Sequence, residues 1–108
     1  IDYCLSQIVI NQEGDLGLLG CDNSVHIFSR HGEYINSYYP KIKSAEFLVP
    51  LRDDWLVFNN NGDGLSILLN KRLEIPEVSI PILDIKSMNR SVAVLSKDHI
   101  LILNAQYK

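Results

Sequence analysis

Three stretches of this chain repeat one strand-turn-strand plan at a spacing of roughly 38 residues, the size of a structural repeat. Leu16, Trp55 and Val92 each open an apolar run, 39 and then 37 residues apart. Val25, Leu65 and Ile100 open the run that follows each of these, 40 and then 35 residues apart. No stretch sustains a helical periodicity. A period of this size built from strands alone reads as β-propeller blades. The expected fold class is all-β: antiparallel four-stranded blades of a β-propeller fragment. A β-sandwich is the alternative, because many short strands with regular turns suit one as well.

The expected repeats cover 5–41, 42–81 and 82–108 of a single unit, the last incomplete. In the first, strands are expected at Leu5–Asn11, Leu16–Cys21, Val25–Ser29 and Tyr34–Tyr39. Gly14 supplies a positive φ in the first turn if that turn needs it. The second repeat places strands at Ser44–Val49, Trp55–Asn59, Leu65–Leu69 and Leu73–Ile80, with Pro50–Asp54 as a turn. Pro76 and Pro81 suit a fourth strand that forms a sheet edge. The third places strands at Ile82–Met88, Ser91–Ser96 and Ile100–Asn104. Val92–Leu95 and Ile100–Leu103 are continuously apolar, and Leu65–Leu69 is broken only by Ser66. A strand solvated on one face alternates, so these runs imply cover on both faces and hence stacked blades.

Apolar residues make up 46% of the 108 residues, enough for a packed core, and the net charge is −3. The longest Lys/Arg run is the pair Lys71-Arg72. A nucleic-acid groove needs a basic stripe to neutralise phosphates, so no nucleic-acid partner is expected. No apolar run approaches the ~18 residues of a membrane-crossing helix, so no membrane insertion is expected either. The chain opens on Ile1 rather than Met, which reads as a processed product or an excised fragment. Cys4 and Cys21 lie on adjacent strands. The expected register sets Cys21 opposite about Ser6, so both are expected as buried free thiols. Low cysteine content favours a reducing compartment, and the expected location is cytoplasmic.

The segment Gly14-Asp15-Leu16-Gly17-Leu18-Leu19-Gly20-Cys21-Asp22-Asn23-Ser24-Val25-His26-Ile27-Phe28 resembles the middle of a WD-repeat-like blade. That family shows a small or acidic turn, an apolar strand, an Asp/Asn-Gly/Ser turn, then a strand ending near an aromatic. Phe28-Ser29 falls where the family often has Trp-Asp, as do Leu69-Asn70 and Leu103-Asn104 in the other repeats. No Gly-His dipeptide precedes a repeat, so the family's signature hydrogen-bond network is not encoded. The resemblance implies a non-enzymatic protein-interaction scaffold, part of a larger multidomain chain or complex. Two and a half blades do not close a ring, since propellers use about four to eight. Either the chain is a segment of a longer one or several copies assemble. The second case gives the alternative function, a small-ligand or carbohydrate-binding propeller formed by oligomerisation. Sugar sites of small ring-forming lectins are rich in tryptophan, and this chain has only Trp55.

Tyr38-Tyr39-Pro40-Lys41 is the leading partner-binding candidate. Tyrosine offers large contact area at low entropic cost and is enriched at interface hot spots. The turns holding Asp22, Asn23, Asp63, Asp98 and His99 are expected on the same rim, and the expected partner is a protein or peptide. Asn59–Gly64 is similar to half a calcium loop but lacks the carboxylates at the first and twelfth positions, and reads as a hairpin turn. His26, His31 and His99 are too dispersed for a metal site. Asp53-Asp54 reads as a solvated turn rather than an acid/base pair. Trp55 reads as core packing between blades. No nucleophile elbow, phosphate loop or cofactor motif is present, so no catalytic residue and no cofactor are assigned.

Overall fold

The computed structural model describes residues 4–75, 81–88, 91–97 and 99–104. Its strands run in chain order: β1 (Leu5–Ile10), β2 (Leu16–Gly20), β3 (Val25–Phe28), β4 (Tyr34–Tyr38), β5 (Phe47–Leu51), β6 (Asp54–Phe58), β7 (Asp63–Ser66), β8 (Lys71–Glu74), β9 (Ile82–Met88), β10 (Ser91–Ser96) and β11 (Ile100–Asn104). They pair antiparallel in chain order as sheets β1–β4, β5–β8 and β9–β11. Among the described residues no helix is long and apolar enough to cross a membrane.

One turn design recurs because three sequence positions share the same chemistry. Asn11 Oδ1 accepts the N–H groups of Glu13 and Asp15 at 3.0 and 2.9 Å. Ser29 Oγ does the same for His31 and Glu33, at 3.1 and 3.2 Å. Asn59 Oδ1 takes Asn61 and Asp63, at 3.0 and 3.1 Å. Each turn then needs a left-handed residue, supplied by Gly14, Gly32 and Gly62 at φ 89°, 82° and 93°. The carboxamide oxygen of Asn59 is thereby committed to its own hairpin.

The sheets stack face to face with the second in the middle. Leu48, Trp55 and Val57 meet Leu19, Val25 and Ile27 of the first sheet. The opposite face, with Phe47, Val49, Leu56 and Phe58, meets Ile85, Val92 and Val94 of the third. All five residues of β6 are buried. Backbones of neighbouring sheets approach each other at the inner strands, β5 against β1, β2 and β9. The third sheet shows the same continuous apolar runs but is covered on one face only. Ile100 and Ile102 remain 64% and 51% exposed, with Leu95 beside them.

Several expectations shift. The first strand of the second repeat is Phe47–Leu51 rather than Ser44–Val49, and Pro50 lies inside it. That is permitted because β5 is a sheet edge, where a missing N–H costs no ladder bond. The run Leu65–Leu69 is a strand only to Ser66, and Leu68 and Leu69 are exposed in the following turn. The fourth strand of that repeat is Lys71–Glu74, and its expected continuation over 76–80 lies outside the described residues. Asp54 is buried rather than solvated. Its Oδ1 accepts Trp55 N–H and Leu68 N–H at 2.7 and 2.8 Å, and its Oδ2 accepts the Ser66 hydroxyl. It closes the turn that leads into β8.

The two cysteines are not free thiols. Cys4 and Cys21 form a disulfide, with Cα atoms 5.4 Å apart. A β-bulge between Leu5 and Gln7 moves the register, so that Leu5 lies opposite Gly20 and Cys21 N–H bonds to Cys4 O at 2.9 Å. Both residues are exposed. The bridge removes the argument from thiols on which the expected cytoplasmic location rested.

Two stability predictions follow from this packing. A Cβ built on Gly17 meets the Trp55 ring at 2.5 Å and Leu48 at 3.0 Å. Gly17→Ala is expected to destabilise by about 1–3 kcal/mol, as overpacking does, read by urea unfolding followed through Trp55 fluorescence. The disulfide closes a loop with a sequence separation of 17. Cys4→Ser is expected to lower stability by about 3 kcal/mol in the same assay under oxidising conditions.

Candidate functional site

The connector from β4 to β5 crosses the turns that follow β2 and β6. Asn23, at φ 71°, donates through Nδ2 to Ile42 O at 2.7 Å and accepts Ala45 N–H at 2.9 Å. Asn59 Nδ2 donates to Lys43 O at 3.2 Å. One end of the first two sheets is thus tied to the chain passing between them. Ile82 N–H reaches Asn60 O at 2.9 Å. Ile82 pairs with Ser96, whose N–H bonds to His99 O at 3.0 Å. The turn after β10 therefore belongs to the same end.

This end brings together most of the candidate residues, in different roles. Tyr39 is 73% exposed and Lys41 is exposed beside it on the connector. Asp22, Asp63 and His99 are exposed in or next to the turns. Asn23 is instead occupied by the connector. Tyr38 is half-buried and packs against the core between the first two sheets, so it is not available as Tyr39 is. Asp98 lies outside the described residues.

The outward face of the first sheet carries a feature that the residue pattern did not reveal. A pocket of about 640 Å³ crosses this face from Leu5 on β1 and Leu18 on β2 to β3 and β4, where Asp22, His26, Tyr34 and Tyr39 line it. Its polar side chains form one directed chain. The Asp22 carboxylate can only accept, so the Ser24 hydroxyl donates to Asp22 Oδ1. Ser24 Oγ then accepts from His26 Nε2 at 3.0 Å. In the neutral ring Nδ1 is left as an acceptor for the Ser37 hydroxyl at 2.7 Å. Ser37 in turn accepts from the Tyr34 hydroxyl at 2.9 Å. The Ser24 hydroxyl and then the Ser24 N–H hold the Asp22 carboxyl below the ordinary carboxylate value. Tyr39 stands edge-on to His26, with ring centroids 6.5 Å apart. The signal in the sequence was Asp22-x-Ser24-x-His26. Alternation along β3 puts Ser24 and His26 on one face, but the partner on β4 depends on pairing.

His31 sits in the β3–β4 turn and His99 before β11, apart from His26. Among the described residues no group of three His, Cys, Asp or Glu side chains is arranged to hold a metal ion.

Comparison with solved structures places this arrangement. The chain superposes on the β-propeller domain of Cps50 (Swd1) from Myceliophteria thermophila with a TM-score of 0.67. The fold is that of a β-propeller. The match covers 99% of this chain and 36% of the other, at 12% identity, so the likeness is one of fold. No family model matches the chain, and no curated protein matches it. In propeller terms β1, β5 and β9 are the innermost strands, and the connector end is one rim of the ring.

Asn23 provides a direct test of how that rim is held. Asn23→Gly keeps the left-handed backbone and loses two hydrogen bonds, for an expected cost of about 1–2 kcal/mol. Asn23→Ala adds backbone strain of about 1 kcal/mol or more. Chemical denaturation should therefore rank the alanine variant below the glycine variant, and both below the parent chain.

Proposed function

We propose that this chain is a non-enzymatic protein-interaction scaffold, a WD-repeat-like propeller segment of a larger multidomain protein. It engages a protein or peptide partner through the rim around Tyr39 and Lys41. The observation that carries this reading is the combination of fixed backbone and open side chains at one place. Asn23 and Asn59 clamp the connector by three hydrogen bonds. Tyr39 and Lys41 project from that same connector into solvent. A rigid aromatic loses little entropy on binding, which is what makes tyrosine effective at interfaces.

Membership of a larger ring is supported by the outer faces of the end sheets. Ile8 and Ile10 on β1 and Ile100 and Ile102 on β11 are all more than half exposed. The middle sheet shows how such faces are satisfied, by another sheet laid against them. Bridges such as Cys4–Cys21 persist in oxidising compartments. The scaffold reading stands for an oxidising setting and for a cytoplasmic one.

Tyr39→Ala and Lys41→Ala are the test, made in the parent protein and read by quantitative affinity isolation of its partners. Tyr39→Ala is expected to weaken capture of the principal partner by about 1–2 kcal/mol, the size of a hot-spot loss. Lys41→Ala is expected to weaken it less and to reduce its sensitivity to salt. Capture that survives both changes removes the rim as the site. A defined ring of identical 108-residue chains in sedimentation would instead favour the oligomeric ligand-binding propeller.

A further inference from the structure

We infer that the groove on the outward face of β3 and β4 is a docking site for a lysine or arginine side chain of a partner peptide. This deepens the scaffold reading and rests on it. Three observations carry the inference. The groove, about 640 Å³, is within the size range of side-chain and small-ligand sites. Apart from His26, Asp22 is the one titrating acid or base among the described non-aromatic lining residues, and it is exposed. The rings of Phe28, Tyr34 and Tyr39 line the same space. A carboxylate flanked by aromatic rings favours a cation with an aliphatic stem. The stem packs against the rings, and the charged head meets the carboxylate and the π-faces.

The hydrogen-bonded chain from Tyr34 to Asp22 strengthens that preference. With the His26 ring neutral each donor in it points toward Asp22, and the Ser24 hydroxyl and N–H hold that carboxyl in its ionised form. An incoming anion meets an ionised carboxylate with no lysine or arginine among the described lining residues to offset it. A neutral sugar gains from the rings but not from the charge.

The groove also stays accessible when another blade lies on the first sheet. Neighbouring sheets of this chain approach at their inner strands. A preceding blade would therefore cover Ile8 and Ile10 on β1 and leave a wedge along the fourth strand β4, as β8 of the stacked middle sheet stays exposed at Lys71, Arg72 and Glu74. The wedge opens at the rim, next to Tyr39.

The probe is the pentapeptide acetyl-Gly-Arg-Gly-Arg-Gly-amide, titrated into the isotope-labelled 108-residue chain and followed by amide and imidazole NMR shifts. The acidic peptide with Glu at both Arg positions and a neutral trisaccharide are titrated in parallel. The expected result is saturable shifts at His26, Ser37 and Tyr39 with the arginine peptide alone, weakening as salt is raised. Asp22→Asn is expected to lower the affinity about five- to tenfold, and Tyr39→Phe to leave it within about twofold while Tyr39→Ala lowers it about threefold. Trp55, buried away from the groove, reports by its fluorescence that each variant is folded. Equal binding of the acidic peptide, shifts with the trisaccharide instead, no binding, or an affinity unchanged in Asp22→Asn overturns the inference. If the groove fails while Lys41→Ala still weakens partner capture, the scaffold reading stands without it. If capture also survives the rim variants, the scaffold reading falls separately.

Discussion

Burial of the middle sheet on both faces organises this molecule. Leu48, Trp55 and Val57 face one neighbour, and Phe47, Val49, Leu56 and Phe58 face the other. A sheet used this way cannot alternate apolar and polar residues, and β6 accordingly has no exposed position. The requirement reaches into the neighbours. Gly17 is small because the Trp55 ring occupies the space where its Cβ would sit. Asp54, at the end of the same strand, is buried, and it satisfies its oxygens with Ser66 and two backbone N–H groups. Burial of a carboxylate without such partners is costly.

Much of this architecture could be read from residue order, and the misses have distinct physical causes. β9, β10 and β11 match their expected boundaries because β-branched runs there are bounded by polar residues in the sequence. The turns at Gly14 and Asn59–Gly64 were legible through their glycines, whereas Asn11, Ser29 and Asn59 read as strand ends and their role as turn acceptors did not show. Pro50 misled because a proline marks a turn unless the strand is an edge, and edge status is a property of the sheet. Leu68 and Leu69 misled because apolar composition does not prevent a turn. The disulfide was hidden by a single inserted residue at the β1 bulge, and register is a property of two strands at once. The groove combined both problems. Asp22, Ser24 and His26 alternate visibly, whereas Ser37 joins them only through the β3–β4 pairing.

At 12% identity to a propeller domain, this chain holds the same fold with polar devices that differ from sheet to sheet. The Gly-His and Trp-Asp positions that typify WD repeats are not filled here. In the first sheet a chain of hydroxyls and one imidazole spans β3 and β4 and ends on Asp22. In the second a buried aspartate holds β6 to the turn after β7. Neither is a copy of the other, although the sheets that contain them have the same strand order. Backbone topology is set by where apolar surface must go, and the polar groups are accommodated one sheet at a time.

Cys21 and Asn59 occupy equivalent places, each the first residue after the second strand of its sheet. Asn59 holds the chain on its way into β5 through a carboxamide, by the bond to Lys43 O. Cys21 holds the chain on its way into β1 through a disulfide to Cys4. Two latches of the same purpose therefore answer to different solvents. Reducing thiols open the disulfide and leave the Asn59 latch shut, so the innermost strand of the first sheet then rests on its ladder bonds to β2, the Leu48 N–H bond to Gln7 Oε1 and its packing against β5. The molecule thus has a built-in order of loosening, beginning at the axis side of the first sheet, beside the mouth of the groove.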